Sequence, residues 1–152
     1  MGTCYSHASD ATPDAPTDAD DIIVYIPDSG YVTSVYDGDT FTIAVWHSGI
    51  KKWCKYSVRV AGIGCPEMRT KNTNEAIVAK QAKSFTEAFA LKKHVELKNV
   101  NREKFGRILA DVYVDGKNLS AELLKHRLAV PYFGDAKKPP EDWLAFHNGG
   151  NA

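Results

Sequence analysis

Hydrophobic and polar positions alternate along most of residues 31–114, and one stretch replaces this period with a helical one. Alternation with many β-branched and aromatic residues is typical of strands that bury one face. In the exception, Val78, Ala82, Phe85 and Phe89 recur at the three- to four-residue spacing of a helix face. The pattern predicts strands at residues 31–36, 41–47, 51–61, 94–100 and 106–114, and helices at residues 72–92, 118–128 and 141–147.

Polar residues and glycines mark the boundaries of these elements. Asn72 is predicted to cap the first helix, with Glu75 three residues later as its capping-box partner. Asp115 and Gly116, after the fifth strand, form a hairpin signal. Gly38 lies between the first two strands, where we expect it to supply unusual backbone angles at a bend.

The order of the predicted elements indicates the fold class. Three strands, a helix, two strands and a helix suit a small closed barrel with helices packed at its base. A five-stranded barrel of this size is the OB architecture, whose strand face and loops commonly bind oligonucleotides. We therefore predict an α+β fold, mainly a five-stranded OB barrel with about three helices. Trp143 and Phe146 are expected to dock the last helix on the barrel, Trp53 is expected in the core, and Trp46 suits either the core or a partner surface.

Charge divides the chain into an acidic tail and a basic body. Residues 1–27 contain five aspartates and no lysine or arginine, which leaves 14 acidic against 19 basic residues, a formal charge of +5, in residues 28–152. We predict a disordered tail at residues 1–21 and a folded domain at residues 22–152. A basic domain suits a polyanionic substrate, and an ordinary solvated surface is the alternative interpretation.

The start of the tail resembles a lipidation signal. Met1 to Ser6 fits the pattern for N-myristoylation at Gly2, and Cys4 beside it suits palmitoylation, the second signal that stable anchoring needs. A chance match or a start introduced by cloning is the alternative. The three cysteines are odd in number and irregularly spaced, which argues against a disulfide scaffold and fits a reducing compartment. These features predict a cytoplasmic protein tethered to the cytoplasmic face of a membrane.

Candidate chemistry is concentrated in residues 35–67, with one further arginine downstream. Asp37 and Asp39 are separated by one glycine, and Arg59 and Glu67 stand at the two ends of a strand and its exit turn. Arg107 follows later in the chain. Carboxylates and arginines together suit phosphate chemistry with a hard metal ion.

Each of these residues also has a purely structural interpretation. Arg59 fits the outward position of an amphipathic strand, and Glu67 fits a cap on the following turn. Arg107 has Asp111 four residues further on as an ion-pair partner. Only their joint occurrence favours a functional site.

Three segments together resemble the staphylococcal (thermonuclease-like) nuclease family. They are residues 36–40 (Tyr-Asp-Gly-Asp-Thr), residues 58–67 (Val-Arg-Val-Ala-Gly-Ile-Gly-Cys-Pro-Glu) and residues 106–117, which begin Gly-Arg-Ile-Leu-Ala-Asp. Their order and spacing agree with the family over residues 31–134. The resemblance implies an OB-type barrel and a calcium-dependent nuclease that cleaves phosphodiester bonds in DNA and RNA.

The resemblance also implies a metal site, and the sequence departs from the family there. Asp39 and the backbone carbonyl of Cys65 would bind calcium, and Glu67 would hold or deprotonate the attacking water. The family carries a calcium-binding aspartate just before the position of Cys65, where this chain has Gly64. Since calcium takes six to eight oxygen ligands and favours charged ones, we expect weak calcium binding, with Asp37 or a water as substitute ligand, or another divalent metal instead.

The remaining implied roles concern phosphate and bases. Arg59 and Arg107 would grip the scissile phosphate and stabilise its added negative charge. Lys104 and Phe105 would lie beside the terminal-phosphate pocket, and Tyr132 would contact a base or a phosphate. Two arginines can donate paired hydrogen bonds to phosphate oxygens, which lysine does less well.

Two functions follow as predictions. The first is a metal-dependent nuclease, a hydrolase acting as a monomer on single-stranded DNA or RNA, with activity weakened at Gly64. The second is a non-catalytic OB module that binds nucleic acid or a protein partner. Gly64 is the only feature that favours the second function, whereas Asp39, Arg59, Glu67 and Arg107 favour the first.

Overall fold

A computed structural model describes residues 25–134 and 138–151 of the chain, with the backbone alone at Phe105. The predicted acidic tail, with Gly2 and Cys4, lies outside this part. Within it, no helix has both the length and the apolar content that a membrane span requires.

The order of elements follows the prediction, with short additional strands. Between the fifth and sixth strands there is also one turn of 3₁₀ helix, Lys104–Gly106. The described elements are β1 (Ser29–Val35), β2 (Thr40–His47), β3 (Lys52–Val60), β4 (Ile63–Gly64), α1 (Thr73–Ala90), β5 (His94–Arg102), β6 (Ile108–Val114), β7 (Lys117–Asn118), α2 (Leu119–Lys125), β8 (Val130–Pro131) and α3 (Trp143–His147).

Five strands close into a barrel, which confirms the predicted OB-type α+β fold. Neighbours in the order β3-β2-β1-β5-β6 pair antiparallel, and a parallel pairing of β3 with β6 closes the ring. In that closing pair, Val58 lies opposite Ile108 and Arg59 opposite Leu109. The closure therefore brings Arg59 close to the start of β6, immediately after Arg107.

The core fills the barrel and the space beneath α1. In β2, Phe41, Ile43 and Val45 are buried while the residues between them are not, which is the alternation expected of a half-buried strand. On α1, Val78 and Ala82 are fully buried, and the two phenylalanines of the predicted helix face pack at the edge of the core. Full burial of an aliphatic side chain contributes roughly 1.5–3 kcal/mol, so these faces hold the helix on the barrel.

Gly38 is required for space, and the prediction that it supplies unusual backbone angles is wrong. Its φ is not positive. A Cβ at this position would lie 2.7 Å from Sγ of Cys65 and 2.8 Å from Cβ of Ala82. The buried hydroxyl of Thr86 donates a hydrogen bond to the Gly38 carbonyl at 2.7 Å. Helix α1 therefore packs directly on the loop that carries the two aspartates.

Asn72 caps α1 as predicted, but the reciprocal half of the capping box is wrong. The Asn72 side chain accepts from the Glu75 amide at 3.0 Å. The Glu75 carboxylate accepts from the Thr70 hydroxyl at 2.7 Å and from the Glu67 amide at 3.0 Å. The Asn72 amide instead donates to Oγ1 of Thr70. Glu75 thus holds the loop that presents Glu67.

Two further predictions, on the β6–β7 turn and on α3, are confirmed. Asp115 and Gly116 both have positive φ, 49° and 77°, as a two-residue type I′ hairpin requires. Trp143 is buried in the core and Phe146 packs partly buried beside it, so α3 docks through the expected residues.

The expectation that Trp53 belongs to the core is wrong. Its side chain is 61% exposed, and that of Trp46, its cross-strand partner in the β2–β3 hairpin, is 49% exposed. Counting in steps of two from the buried Val58 and Val60 places Trp53 on the opposite, outward face of β3. The prediction considered the apolar character of tryptophan but not the register of the strand, so it assigned Trp53 to the wrong face.

Candidate active site

A polar cleft of about 330 Å³ opens where the β1–β2, β4–α1 and β5–β6 connections meet. It contains every catalytic residue implied by the family resemblance and both aspartates of the β1–β2 connection. The lining residues are Asp37, Asp39, Thr40, Arg59, Cys65, Pro66, Glu67, Glu103, Arg107 and Tyr132.

Asp39 is held rigidly at the floor of the cleft. Its side chain is almost fully buried, and one carboxylate oxygen accepts from the Cys65 amide at 3.0 Å while the other accepts from the Thr40 hydroxyl at 3.1 Å. Its backbone carbonyl accepts from the Val60 amide at 2.8 Å. The contact with Cys65 links two segments 26 residues apart, so the carboxylate direction is set by the tertiary structure.

Asp37 lies beside Asp39 and carries an electrostatic cost. Oδ1 of Asp37 accepts a hydrogen bond from the Asp39 amide at 3.1 Å. Burial first, and the negative charge of Asp39 second, raise the pKa of the Asp37 carboxyl to about 6. A bound cation would relieve this repulsion, since both carboxylates would then face an opposite charge.

Gly64 forms the second position of the short strand β4. It is buried and pairs with Val130 of β8, and it is not among the residues that line the cleft. Its φ is not positive, so a residue with a side chain has an accessible backbone conformation there. Within the described part of the chain, no cluster of three or more His, Cys, Asp or Glu residues is placed to hold a metal ion.

The two arginines share one carboxylate, that of Glu103. Nε of Arg107 lies 2.7 Å from Oε2 of Glu103, and Nη1 of Arg59 lies 3.8 Å from Oε1. Nη2 of Arg59 lies 3.9 Å from the Asp39 carboxylate. The alternative pairing of Arg107 with Asp111 is wrong. Both guanidinium groups can therefore engage a single anion.

Glu103 is the site residue that sequence reasoning missed. Its position four residues before Arg107 was the available signal, since neighbours at that spacing often pair. Asp111, the partner considered from the sequence, instead accepts a hydrogen bond from Asn99 at 2.7 Å. Strand β5 ends just before Glu103, and β6 begins just after Arg107. The short turn between the two strands brings both side chains to the cleft.

Tyr132 completes the wall next to the arginines. Its ring centroid lies 5.0 Å from the guanidinium carbon of Arg59, within range of a cation–π contact. The β4–β8 pairing and a 3.0 Å hydrogen bond from the Tyr132 amide to the Gly62 carbonyl fix this position.

The other predicted site residues are placed differently. Glu67 is exposed at the rim, with its backbone amide bound to Glu75 as described above. Lys104 is exposed in the 3₁₀ turn and is not among the residues lining the cleft. The side chain of Phe105 lies outside the described part. For Cys65, the structure places the amide on Asp39, and the predicted role of its carbonyl stays a prediction.

A closed barrel of OB type with this cleft defines a nuclease-like or nucleic-acid-binding OB module. The chain belongs to the family described as staphylococcal nuclease homologue, whose model matches residues 57–145, more than half of the chain. The matched segment includes Arg59, Glu67, Glu103 and Arg107 and begins after Asp39. No curated protein matches the chain.

Proposed function

We propose that this protein hydrolyses phosphodiester bonds in single-stranded DNA or RNA, with the help of a weakly held divalent cation, calcium in the first place. The supporting observation is the convergence of Arg59 and Arg107 on the single carboxylate of Glu103, in the cleft that also holds Asp39 and Glu67. A carboxylate is a reasonable stand-in for one face of a phosphate group.

The arginines supply the main part of the proposed catalysis. A substrate phosphate competes with the Glu103 carboxylate for the guanidinium groups of Arg59 and Arg107. Phosphodiester hydrolysis places additional charge on the non-bridging oxygens, and donors already aimed at that position stabilise the transition state most. Arg59 is oriented beforehand by Tyr132 and Asp39, so little reorganisation is needed.

Glu67 is the proposed base for the attacking water. It lies at the rim of the cleft, open to solvent, so a water can reach both the glutamate and a phosphate on the arginines. A carboxylate within hydrogen-bond reach of that water can accept its proton. The bond from the Glu67 amide to Glu75 fixes the loop from which this side chain extends.

The residues present fit a cation, though a weakly bound one. Burial, and after it the negative charge of Asp39, raises the pKa of Asp37, and this unfavourable environment for a second negative charge favours a cation between Asp37 and Asp39. These two carboxylates would hold it, and waters would supply most of the ligands that calcium requires. When bound, the ion polarises phosphate oxygens and neutralises their charge.

A non-catalytic nucleic-acid-binding module is the second candidate. Two observations favour it: Gly64 stands where the family carries a calcium-binding aspartate, and the Glu103 carboxylate already occupies the arginines. In such a module, the cleft would bind a phosphate without activating water.

A cleavage assay decides between the two functions. Single-stranded DNA and RNA are incubated with the wild-type protein while calcium is titrated to millimolar levels, against a chelator control. We expect calcium-dependent cleavage, with Lys80→Gln, a change on the exposed side of α1, as the matched control. Calorimetric titration of calcium into wild type and Asp39→Asn gives a readout independent of activity. Absence of cleavage by wild type together with recovery in Gly64→Asp would establish the binding module.

We also propose that the protein is acylated at Gly2 and Cys4 and tethered to the cytoplasmic face of a membrane. The support is the sequence pattern alone. Intact-mass measurement after co-expression with an N-myristoyltransferase tests it. An unmodified mass would refute the proposed lipid anchor.

A further inference from the structure

The outward face of the β2–β3 hairpin forms a continuous row from the cleft to the hairpin tip. Register places Thr40 opposite Arg59 at the cleft end and Trp46 opposite Trp53 at the tip. The outward residues of both strands between these two pairs are here called the outer row. Its ends on β3, Arg59 and Trp53, are six residue steps apart, which corresponds to about 20 Å. The row is therefore long enough for several nucleotides of an extended strand.

Charge along the outer row suits a polyanion. Residues 40–66 contain no aspartate or glutamate, but include Lys51, Lys52, Lys55 and Arg59. Lys55 is exposed on the outer row itself, and within the described residues it has no ion-pair partner. Arg59, by contrast, faces two carboxylates in the cleft. A phosphate near Lys55 would meet a cation whose charge is not already compensated.

The middle of the outer row carries hydroxyl donors on short side chains. Ala44 lies opposite Lys55 and beside Tyr31 of β1, so a small side chain is flanked by an aromatic ring and a cation. The next pair towards the cleft is Thr42 and Ser57. These short side chains leave room for a chain of nucleotides, and hydroxyl groups are common donors to phosphate oxygens.

The tip presents a pair of exposed indole rings on a braced support. The rings of Trp46 and Trp53 are 5.6 Å apart in an edge-to-face arrangement. On the other face of the hairpin, Oη of Tyr56 and Nε2 of His47 are 2.9 Å apart, and the ring of Tyr25 lies 4.2 Å from that of His47. Aromatic rings held open to solvent are the usual platform on which unpaired bases stack.

We propose that the outer row binds single-stranded nucleic acid, with bases stacked on Trp46 and Trp53 and backbone phosphates beside Lys55. The substrate is then a strand of several nucleotides, and the tip engages it at a distance from the bond being broken. The inference rests on the proposed function in one respect, namely that Arg59 holds the scissile phosphate.

Length-dependent binding tests the outer row without requiring catalysis. Fluorescence anisotropy is measured with labelled oligothymidylates of about 2 and about 16 nucleotides, in chelator so that no strand is cut. For Trp46→Ala/Trp53→Ala we expect at least a tenfold loss of affinity for the long strand, since two bases lose the rings on which they stack. The short strand, held at the cleft, should lose less than about threefold. Lys55→Gln should lower the salt slope of the long strand by about 0.7.

Matched controls separate the outer row from general effects. Ile77→Ala and Lys80→Gln alter an exposed apolar residue and an exposed lysine on α1, and should leave both affinities unchanged. A duplex of the same length should bind more weakly than the single strand, because its bases are not free to stack. An oligouridylate arm compares RNA with DNA for the same chemistry. Equal losses on short and long strands, or none on the long strand, would overturn the proposal.

Failure of the inference can be told apart from failure of the proposed function. Hydrolysis of a small chromogenic phosphodiester should be unchanged in the tryptophan variant, whereas KM for a long strand should rise. Length-dependent binding without any cleavage would reject the nuclease and keep the outer row. Cleavage that does not depend on either tryptophan would keep the nuclease and reject the outer row. A concentration-dependent dimer that the tryptophan variant abolishes would overturn the proposal, because a second copy would then cover the row.

Discussion

The cleft has two halves, which differ in how far neighbouring opposite charges balance the charges of each half. In the arginine half, Arg59 and Arg107 lie within 4 Å of the Glu103 carboxylate, and Tyr132 packs against Arg59. Every charge in this half has an opposite charge near it. The side chains of the arginine half are therefore held in place by contacts with one another.

The carboxylate half shows the opposite situation. Asp39 is fixed by two hydrogen bonds, but its neighbour Asp37 has a pKa raised to about 6 by burial and by the charge of Asp39. Gly64 contributes no carboxylate beside Cys65. This half keeps a like-charge repulsion that only a proton or a cation removes.

The difference indicates how the two kinds of ligand would be bound. In the proposed function, an anion would exchange for Glu103 at a preformed pair of donors, so phosphate recognition would not depend on the metal. A cation would bind where two carboxylates lie close together without one, yet it would find few fixed ligands. Phosphate binding should consequently be strong and metal binding weak. Each prediction below alters one half, except that Arg59→Ala also removes the cation that lies 3.9 Å from the Asp39 carboxylate.

Removal of either arginine should have the largest effect. We expect Arg59→Ala or Arg107→Ala to lower kcat on single-stranded DNA by about 10²–10³, the usual cost of losing one donor to developing charge. Arg59→Lys should recover only part of the rate, since it keeps the charge and loses the paired hydrogen bonds. Rates are measured at saturating calcium.

Thermal unfolding serves as the control for these variants. Both arginines are partly exposed, so a Tm close to that of wild type is expected. Wild-type rates in either alanine variant would refute the role of the arginine half.

Addition of a carboxylate to the other half should have the next largest effect. In Gly64→Asp we expect calcium affinity to rise about tenfold or more, because affinity follows the number of charged ligands. Calorimetry measures it without reference to activity. Gly64→Asn, with nearly the same shape and no charge, is the matched control and should gain much less. Equal affinities in all three proteins would show that Gly64 is not a vacant ligand position.

The barrel was predictable because its signals are local. Alternation from residues 31–114 gave the five barrel strands, and Asn72 gave the start of α1, with boundaries that differ by one or two residues. Side-chain period and capping chemistry act within a few residues, so the sequence displays them directly. The family motifs placed the arginines and carboxylates in one cleft for the same reason: their spacing is tied to the strands.

Features that depend on tertiary contacts were not predictable in the same way. Gly38 is required because Cys65 and Ala82, far apart in sequence, both press against it. Glu103 joins the site because β3 and β6 pair in parallel and bring Arg59 to it. Trp53 was misplaced because strong apolar character outweighed the register, and function at the surface is the usual reason for such an exception.

Neutralising Glu103 should have a smaller effect than these changes. It should strengthen the binding of an anion to the arginines, whereas removal of an arginine weakens the function of that half. In Glu103→Gln we expect affinity for a short oligothymidylate, measured in chelator, to rise by up to about fivefold, since partly exposed ion pairs contribute roughly 1 kcal/mol or less. The phosphate then no longer competes with a carboxylate. Glu87→Gln, a glutamate paired with Lys83 on α1, is the matched control. Weaker binding would mean that Glu103 positions Arg107 instead of competing with the substrate.

Neutralising Asp37 should change stability by the smallest amount and in a defined pH window. The folded-state pKa of Asp37, about 6, exceeds the ordinary aspartate value of 3.8, so the folded protein binds more protons between these values than the unfolded chain does. Wild type therefore loses stability as pH rises through this window. Asp37→Asn has no such loss and can still accept the Asp39 amide, so its advantage should grow from pH 4 to a plateau above about pH 6, reaching about 1–2 kcal/mol.

Urea unfolding across this pH range measures the difference, with Asp28→Asn, at an exposed aspartate outside the cleft, as the matched control. Calcium should reduce the advantage of Asp37→Asn at neutral pH, because the bound ion stabilises the ionised carboxylates of wild type. A difference that does not vary with pH would show that burial and the charge of Asp39 do not raise the pKa of Asp37 in the folded protein. The carboxylate half would then have no electrostatic reason to bind a cation, and the contrast between the two halves would reduce to the missing ligand at Gly64.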